Sequence, residues 1–551
     1  MKMSIITTCF VVIVIWFNLA AWSATISGTV KDPGGAPFKG AFVRARNLKT
    51  DGTVSVLSDK QGQYRIQNLP DGEYEVFIRA AGFKAEPRKN VILAGSQTTS
   101  IDFALEKGIV RWSDLSNYEG AKLLPEAKGK QVLVGQCFAC HGFQSREAPR
   151  RQEEAYWKRD VGMMLDRFGY FLRRGVDDAK AQEVIGYLSN VFGPDSDLPR
   201  SPAELAQYKE VKYPSSFADD AMKITYVDFK LAGTSRFPGA ARPDAEGNLW
   251  IWQYNGNRIA MLDPKTGVVK EWPVPYTGQA SIHSVVGAPD GYAWFSDQAQ
   301  NKIGKLDPRT GKIVAYDAPP LRADAAGMER GSKHTLAIDL SGNVWSTGAP
   351  LAKFDPKTEK FTNFPDVPNV YGISVDKDNN VWFAEFMQNG KIGKVDAKTG
   401  KITKYTPPTP DAYPRRLKID SKGIIWFAEY RAGQIGRFDP QSATFKEFPL
   451  PGPDPTPYAL DIDQRGHVWY SSMDMDIIGQ LNPDNGEVVE YPFPYSENGM
   501  RDFFIDKEGR MWWGSQPNDR VGYFVPVAGT GTVPPRRTRP LAGGSAAPRA
   551  E

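Results

Sequence analysis

The 551-residue chain is 41% hydrophobic and 24% charged, and its formal net charge is +4. A chain of this length exceeds what one hydrophobic core usually supports, so these values exclude a one-domain protein and predict several globular domains. The small net charge also excludes a general nucleic-acid binder, since such proteins are usually strongly basic.

The N-terminus has the pattern of an export signal. Lys2 precedes the apolar run "IITTCFVVIVIWF", and small residues favour cleavage before Ala24. The run is shorter than a membrane-spanning helix requires, so residues 1–23 predict a signal peptide and a mature chain without a stable membrane span, and the alternative is a retained membrane anchor. We therefore expect a periplasmic or secreted protein. Only Cys137 and Cys140 follow the predicted cleavage point, which is too few for a disulfide framework.

The next segment predicts a β-sandwich. Residues 24–107 alternate apolar and polar positions between turn signals such as "DPGG" and "LPDG". Their pattern of glycines, aromatic residues and apolar residues resembles the carboxypeptidase regulatory-like domain, and that resemblance implies a non-catalytic accessory module. The matching residues are Gly62, Tyr64, Leu69, Pro70, Gly72, Tyr74, Val76, Gly82 and Phe83.

Residues 108–200 change to helical spacing. Apolar residues in "EEAYWKRDVGMMLDRFGYFL" and "DDAKAQEVIGYLSNVF" recur as on one face of a helix, and Asp177 and Asp178 are candidate caps of the second helix. The segment therefore predicts a small all-α domain. The stretch "GPDSDLPRSP" breaks the helical pattern, and we place a linker at residues 201–221.

This helical segment contains a Cys-x-x-Cys-His motif at Cys137, Cys140 and His141. Two thiols at this spacing add to the vinyl groups of haem, while the adjacent imidazole ligates iron. Thioredoxin-type chemistry expects a βαβ context, and structural zinc needs a further ligand nearby, whereas the other histidines lie beyond residue 280. The motif therefore predicts one covalent haem c and electron transfer.

A methionine is the expected sixth ligand of the iron. Met163 and Met164 are both candidates, and the alternative is that both only fill the core. The order of the haem motif, Trp157, Met164 and Tyr187 resembles small class I-like cytochromes c, and this spacing favours Met164.

Basic residues are concentrated around the same motif. A positive surface near haem would speed encounter with an acidic redox partner protein, and the alternative is a solvated face without a partner. These residues are Arg146, Arg150, Arg151, Lys158, Arg159, Arg167, Arg173 and Arg174.

From residue 222 the chain repeats itself. Tryptophans recur about every 43 residues, each closing a phrase such as "DAEGNLW" or "DKDNNVW", which is typical of a β-propeller. Seven tryptophans predict seven blades over residues 222–527, and "MKITYVDFKL" is expected to complete the last blade and close the ring. The tryptophans are Trp250, Trp294, Trp345, Trp382, Trp426, Trp469 and Trp512.

The repeats resemble virginiamycin B lyase and related streptogramin lyase-like propellers, most clearly in "YGISVDKDNNVWFAE" at 371–385. That resemblance implies a His eleven residues before a repeat tryptophan and a Glu three residues after it, acting with Mg²⁺ in a carbon–oxygen elimination. His283 with Asp297 is the one His–acid pair in these two places, so the resemblance implies His283 as general base and Asp297 as the metal ligand. Asp is one methylene shorter than the family's Glu, and the pair stands in the second blade rather than late in the domain.

The same two places in the other blades predict a polar ring at one end of the central channel, because strand geometry repeats from blade to blade. We expect a small-molecule channel in which Arg415 and Arg501 hold a carboxylate or sulfate, and the alternative is a ring that only fixes the blades in register. Further members of the predicted ring are His334, Tyr371, Glu385, Glu429 and Tyr458, and the remaining places hold Gly239, Gln253, Gly348, Ser472 and Ser515.

These patterns predict a mainly β multidomain protein with an N-terminal sandwich, a small all-α cytochrome c domain, a seven-bladed propeller and a disordered tail at residues 528–551. The expected function is exported electron transfer, with a propeller that binds a substrate or partner and acts as a haem-linked oxidoreductase if it is catalytic. Two alternatives stay open: a virginiamycin B lyase-like enzyme that uses Mg²⁺, and a non-catalytic binding or scaffold protein.

Overall fold

The fold is that of a mainly β protein with several domains. The computed structural model describes residues 23–139, 141–173, 175–212, 217–233, 236–264, 267–320 and 332–526. Residues 1–22 of the predicted signal peptide, the predicted tail, Cys140 and Arg174 lie outside the described residues. Within the described ranges, no helix has the length and apolarity needed to cross a membrane.

The N-terminal part is sandwich-like, as the alternating pattern predicts. One sheet pairs β1 with β4 and β8, and the other has the order β3-β2-β5-β7. Tyr64 and Ile66 on β4 point into the core while their neighbours Gln63 and Arg65 are exposed. The strands are β1 (Ala24–Lys31), β2 (Phe42–Asn47), β3 (Thr53–Leu57), β4 (Gln63–Leu69), β5 (Gly72–Arg79), β6 (Phe83–Lys84), β7 (Arg88–Leu93), β8 (Thr98–Ser100), β9 (Phe103–Ala104) and β10 (Glu106–Lys107).

The next part is helical and has a hydrophobic core of its own, which includes Phe143, Trp157, Tyr187 and Phe192. The Asp177 carboxylate accepts the Lys180 N–H (2.8 Å) and so caps α5, as expected from the sequence. The α-helices are α1 (Asn117–Leu123), α2 (Lys130–Gln136), α3 (Glu154–Arg167), α4 (Gly169–Leu172), α5 (Asp178–Val191) and α6 (Tyr208–Val211). Short 3₁₀ helices span Trp112–Asp114, Cys137–Ala139, Pro202–Glu204 and Asp219–Met222.

The C-terminal part is propeller-like, and its described residues form seven antiparallel blades. The closing strand is β11 (Ile224–Lys230). Blades one to three contain β12 (Pro238–Pro243), β13 (Leu249–Gln253), β14 (Arg258–Leu262), β15 (Val269–Pro273), β16 (Ile282–Gly287), β17 (Ala293–Asp297), β18 (Lys302–Leu306), β19 (Ile313–Asp317), β20 (Ser332–Ile338), β21 (Val344–Ala349), β22 (Leu351–Asp355) and β23 (Lys360–Phe364). Blades four to seven contain β24 (Val370–Val375), β25 (Val381–Glu385), β26 (Ile392–Val395), β27 (Ile402–Tyr405), β28 (Pro414–Ile419), β29 (Ile425–Glu429), β30 (Gln434–Asp439), β31 (Thr444–Pro449), β32 (Pro457–Ile462), β33 (Val468–Ser472), β34 (Ile477–Leu481), β35 (Val488–Pro492), β36 (Phe503–Ile505), β37 (Met511–Ser515) and β38 (Arg520–Pro526).

A repeated Asp–Trp contact explains the recurring phrase before each second strand. In blade four, Asp376 accepts the backbone N–H of Asn380 (2.8 Å) and the indole N–H of Trp382 (2.9 Å). One carboxylate therefore fixes the turn and satisfies a buried donor. Blade two has Ala288 at the equivalent position, six residues before Trp294.

The ring closes through β11, which pairs antiparallel with β38 from Ile224 opposite Pro526 to Lys230 opposite Arg520. This is the closure that the sequence predicts. The other edge of β11 pairs with β3, so one sheet runs from the seventh blade into the sandwich. The sandwich thereby covers an edge that the propeller would otherwise expose.

Candidate functional site

Cys137 and His141, the described residues of the haem motif, lie just after α2. Cys137 begins a 3₁₀ helix directly after α2, and its half-buried side chain packs against the helical core. The half-buried His141 ring has its Nδ1 2.7 Å from the Gly142 carbonyl oxygen. If Nδ1 is the protonated nitrogen, Nε2 is left with the lone pair that a metal requires. Burial and the nearby Arg146 lower the pKa of His141, which favours the neutral imidazole that ligates iron.

The two candidate methionines face different surroundings. Met163 is 43% exposed, whereas Met164 packs against the same core as Cys137. Trp157 and Tyr187, which the sequence places in the same pattern, are both buried in that core. Met164 and Cys137 therefore pack against one core together with Trp157 and Tyr187.

Several of the basic residues in this segment are engaged within the protein. Arg146 donates to the Pro517 carbonyl (3.4 Å), Arg159 pairs with Asp160 (3.1 Å) and Arg173 pairs with Asp178 (3.1 Å). Arg151 donates to carbonyls of the same segment, and Arg150 lies 3.9 Å from Asp160. Lys158 is exposed, Arg174 lies outside the described residues, and the position of the Arg167 side chain is not described.

The propeller channel brings the residues that precede each tryptophan by eleven positions into one cluster. The His283 and His334 rings are 3.4 Å apart, and the His334 and Tyr371 rings are 4.5 Å apart. The Tyr371 and Tyr458 hydroxyls share a hydrogen bond, and Arg415 lies 3.5 Å from the centre of the Tyr458 ring. The structure therefore joins five predicted ring members, and we call them, with Arg501, the channel cluster.

Arg415 lies inside an aromatic box. Its guanidinium carbon is 4.6 Å from the centre of the Tyr371 ring, 4.3 Å from that of Phe386 and 4.4 Å from that of Tyr430, in addition to the Tyr458 contact. One Nη also donates to the Tyr371 hydroxyl (3.4 Å). Such contacts stabilise the cation by about 0.5–2 kcal/mol each at most, so the rings hold the guanidinium without neutralising it.

A second arginine, Arg416, enters the same cluster. It forms a salt bridge with Asp502 (3.1 Å), donates to the Thr335 hydroxyl and lies 4.9 Å from the centre of the Tyr371 ring. The first strand of this blade is irregular between Pro414 and Leu417. A β-bulge places two residues opposite one, which explains how two consecutive arginines reach the channel.

The channel cluster shifts the pKa values of its own members. Burial, with Arg416 and Arg501 nearby, holds the pKa of His283 well below its usual range, and burial does the same to His334. Both rings are therefore neutral at pH 7. Burial alone would raise the pKa of the Tyr371 phenol, but the surrounding guanidinium groups lower it to about 8.

Most of the residues three positions after a repeat tryptophan contact residues outside the channel cluster. Several of them contact the last strand of their own blade or a nearby loop. The contacts are Gln253 to Glu271 (3.1 Å), Asp297 to Tyr276 (2.6 Å), Glu385 to Lys404 (2.6 Å) and Ser515 to Asn518 (2.9 Å), while Glu429 lies beside Glu447.

His283 and Asp297 thus have different neighbours. His283 contacts the Tyr254 hydroxyl (3.4 Å) and His334, whereas Asp297 accepts hydrogen bonds from Tyr276 and from the Ser281 backbone (3.0 Å). Among the described residues, no group of three or more His, Cys, Asp or Glu side chains is arranged to hold a metal ion.

Sequence reasoning missed several residues of the channel. Thr335 and Arg416 follow predicted ring members directly, and a bulge in the first strand is the feature that turns them inward. Tyr254, Phe386 and Tyr430 each stand four residues after a repeat tryptophan. An aromatic residue at that position in blades one, four and five was the available signal.

The helical segment meets the propeller next to the channel cluster. The Tyr118 backbone N–H donates to the Asp474 carbonyl (2.8 Å), and the Asn117 side chain hydrogen-bonds the Asp474 carboxylate. Tyr430, one wall of the aromatic box, donates to that same carboxylate (3.4 Å). Asp474 therefore joins the box to the helical segment.

A second contact lies close to the haem motif. Both the backbone N–H and the hydroxyl of Ser145 donate to the Glu497 carboxylate of the propeller (2.8 and 2.9 Å). Glu497 is 2% exposed, and Ser145 follows His141 by four residues. These bonds hold the loop after the motif against the propeller.

Comparisons with known proteins match the two flanking parts of the chain. Residues 359–545 match the Virginiamycin B lyase family and residues 25–106 match the Carboxypeptidase regulatory-like domain. The two resemblances seen in the sequence are therefore confirmed for these parts. The helical segment lies between the two matched ranges, so neither match bears on the predicted haem.

Similar solved structures cover the propeller fold. A structure of streptogramin B lyase is 25% identical, covers 56% of this chain and 99% of its own, and has a TM-score of 0.50. Virginiamycin B lyase from Staphylococcus aureus is 24% identical over 55% of this chain and 99% of its own, with a TM-score of 0.49. The TonB-dependent transporter Oar of Myxococcus xanthus is 30% identical over 115 residues, which is 21% of this chain and 9% of the transporter.

Proposed function

We propose that the chain is an exported c-type cytochrome that carries electrons and whose propeller channel binds a small molecule. The observation that carries the proposal is the haem motif at Cys137, Cys140 and His141, placed at the end of a helix beside a core that also holds Met164. Both thiols would attach the haem, His141 would be the proximal ligand and Met164 the sixth ligand. When bound, haem c supplies a one-electron couple.

Contacts between the helical segment and the channel support a haem-linked role for the propeller. Gln144 donates to Asn117 (3.2 Å) close to His141, and Asn117 leads through Asp474 and Tyr430 to the aromatic box. Burial and Asp454 raise the pKa of Asp474, the residue at the centre of these contacts. A ligand in the channel would thus lie at one end of a continuous line of contacts that leads to the haem motif.

The electron-transfer proposal is tested by spectroscopy on the full chain, produced with export and haem attachment. We expect a covalently bound haem whose oxidised spectrum has the band of a Met–iron bond. Met164→Ala should lose that band, and Met163→Ala is the matched control that should keep it, because Met163 is exposed. A chain that carries no covalent haem, or a band that survives in Met164→Ala and disappears in Met163→Ala, would contradict this assignment.

A second candidate is a carbon–oxygen lyase, favoured by the match of residues 359–545 to the Virginiamycin B lyase family. In this candidate His283 would be the general base and Asp297 would ligate Mg²⁺, although the two side chains have different neighbours in the structure. Magnesium-dependent opening of a cyclic depsipeptide that is lost in His283→Ala would support it. If activity depends neither on magnesium nor on His283, the lyase candidate fails, and either electron transfer or a non-catalytic binding role is left. A redox-inert haem would then favour the non-catalytic binding role.

A further inference from the structure

The channel contains a positive charge, Arg415, that is enclosed by aromatic rings. Arg415 is surrounded by the four rings of the aromatic box, and within the described residues no carboxylate lies within salt-bridge distance of it. Its Nε is buried and has no hydrogen-bond partner among the described residues. Burying a cation without a counter-charge is costly, so the folded protein gains from an anion at this place.

The other groups that face Arg415 do not supply that anion. Arg416 is already paired with Asp502. Arg501 adds positive charge, since it acts on His283, Tyr371 and Tyr458. Burial raises the pKa values of Tyr430 and Tyr458, so both phenols stay neutral at pH 7. Asp474 interacts electrostatically with Arg415, but it is hydrogen-bonded to Tyr430 and its own pKa is raised by burial.

The surroundings also indicate the shape of the missing anion. Rings cover the guanidinium, so its remaining donors lie in its plane, where a carboxylate binds with two parallel hydrogen bonds. Three half-buried aromatic rings form a group near this guanidinium. The centre of the Phe386 ring is 5.6 Å from that of Tyr413 and 5.8 Å from that of Tyr430. They offer an apolar surface for the body of a flat ligand.

We propose that the channel binds an organic carboxylate with a flat apolar body, its carboxylate on Arg415 and its body against the rings of Phe386, Tyr413 and Tyr430. This inference rests on the proposed ligand-binding role of the channel and not on haem. The Tyr371 hydroxyl oxygen accepts a hydrogen bond from the same guanidinium, and it competes with the ligand once the phenol ionises. Binding should therefore weaken as the pH rises past about 8, the pKa of Tyr371.

The test is calorimetric titration of the full chain with benzoate, with benzamide as the neutral compound of the same shape and sulfate as the inorganic anion. We expect benzoate to bind, benzamide to bind at least about tenfold more weakly, and Arg415→Gln to weaken benzoate by about tenfold or more, as the loss of a charged, two-point contact requires. Tyr371→Phe should remove the weakening above pH 8.

The matched control is Arg431→Gln, because Arg431 is exposed and lies over Tyr413 (4.2 Å) in the same blade. It should leave benzoate binding unchanged. If Arg415→Gln does not fold, Arg415→Lys keeps the charge and removes the planar donors, and it should still weaken binding. Equal binding of benzamide, tighter binding of sulfate than of benzoate, or no benzoate binding would overturn the proposal. A haem spectrum of the same sample separates this outcome from failure of electron transfer.

Discussion

Glu385 and Glu429 occupy the same place in neighbouring blades, three residues after the repeat tryptophan, but they have opposite electrostatic surroundings. Glu385 accepts a hydrogen bond from Lys404 (2.6 Å). Glu429 is fully buried beside Glu447, and burial together with that carboxylate raises its pKa to about 9. Equivalent positions in the repeat can therefore differ in protonation state, which the sequence pattern alone does not reveal.

The raised pKa of Glu429 has a consequence for stability. A carboxyl group that is protonated in the folded state and ionised in the unfolded state favours folding at low pH, so this contribution is complete below the unfolded pKa of about 4.3 and is lost as the pH rises to about 9. The slope is at most about 1.4 kcal/mol per pH unit for one proton. We expect Glu429→Gln to flatten the fall in the free energy of unfolding between pH 5 and pH 9, as measured by denaturant titration at several pH values.

Glu385→Gln is the matched control for this prediction. It removes one partner of a buried ion pair, whose side-chain exposures are 6% for Glu385 and 26% for Lys404, and should destabilise the fold at every pH in the range. A slope that is unchanged in Glu429→Gln would show that another group carries the pH dependence.

At the scale of the element, four blades share a contact between a glycine in the third strand and an aromatic ring in the second. The pairs are Gly304 with Phe295, Gly393 with Phe383, Gly436 with Phe427, and Gly479 with Tyr470. A Cβ at any of these glycines would overlap the ring. In these four blades the glycine is needed because it lets the aromatic ring lie close to the third strand, and not because of its backbone conformation.

Gly393→Ala should destabilise the protein by about 1–3 kcal/mol, the usual cost of overpacking, because the Phe383 ring would have to leave its position. Thermal unfolding followed by circular dichroism measures this effect. Gly186→Ala on α5 is the control, since a Cβ there meets nothing within 4 Å and alanine favours a helix, so its midpoint should stay or rise. Equal midpoints for Gly393→Ala and the unaltered protein would rule out this account of the blade.

The propeller strands could be predicted from the sequence because each repeat has the same pattern of strands. The closing strand could be predicted because the last repeat has no outer strand of its own. The channel could be predicted only in part. The family's position eleven residues before each tryptophan predicts five of its residues: His283, His334, Tyr371, Arg415 and Tyr458. Arg416 reaches the channel because of a bulge in its strand. The alternation of side chains along a regular strand does not predict such a bulge. The family resemblance paired Asp297 with His283, but the hydrogen bonds of Asp297 to Tyr276 and Ser281 depend on a loop conformation.

The whole molecule is joined by a charged cluster between the sandwich and the seventh blade. Asp228 on β11 is fully buried, pairs with Arg520 and lies 3.6 Å from Arg44 of the sandwich. The Tyr495 hydroxyl donates to the same carboxylate (2.9 Å). The pairing of β3 with β11 could not be predicted from the sequence, because the residues of an edge strand do not determine which other strand it pairs with.

This cluster should couple the unfolding of the two domains. Asp228→Ala would leave Arg44 and Arg520 buried without their counter-charge, at a cost of about 3–5 kcal/mol. Differential scanning calorimetry should show the sandwich and propeller melting together in the unaltered chain and separately, at lower temperature, in Asp228→Ala.

Arg46→Ala on the same strand as Arg44 is the control. It removes a partly exposed pair with Glu75 (2.6 Å), which is worth about 1 kcal/mol or less, so joint melting should persist. If the unaltered chain already melts in two separate steps for these domains, the continuous sheet from β38 through β11 to β3 does not transmit stability, and the sandwich is only an attached module.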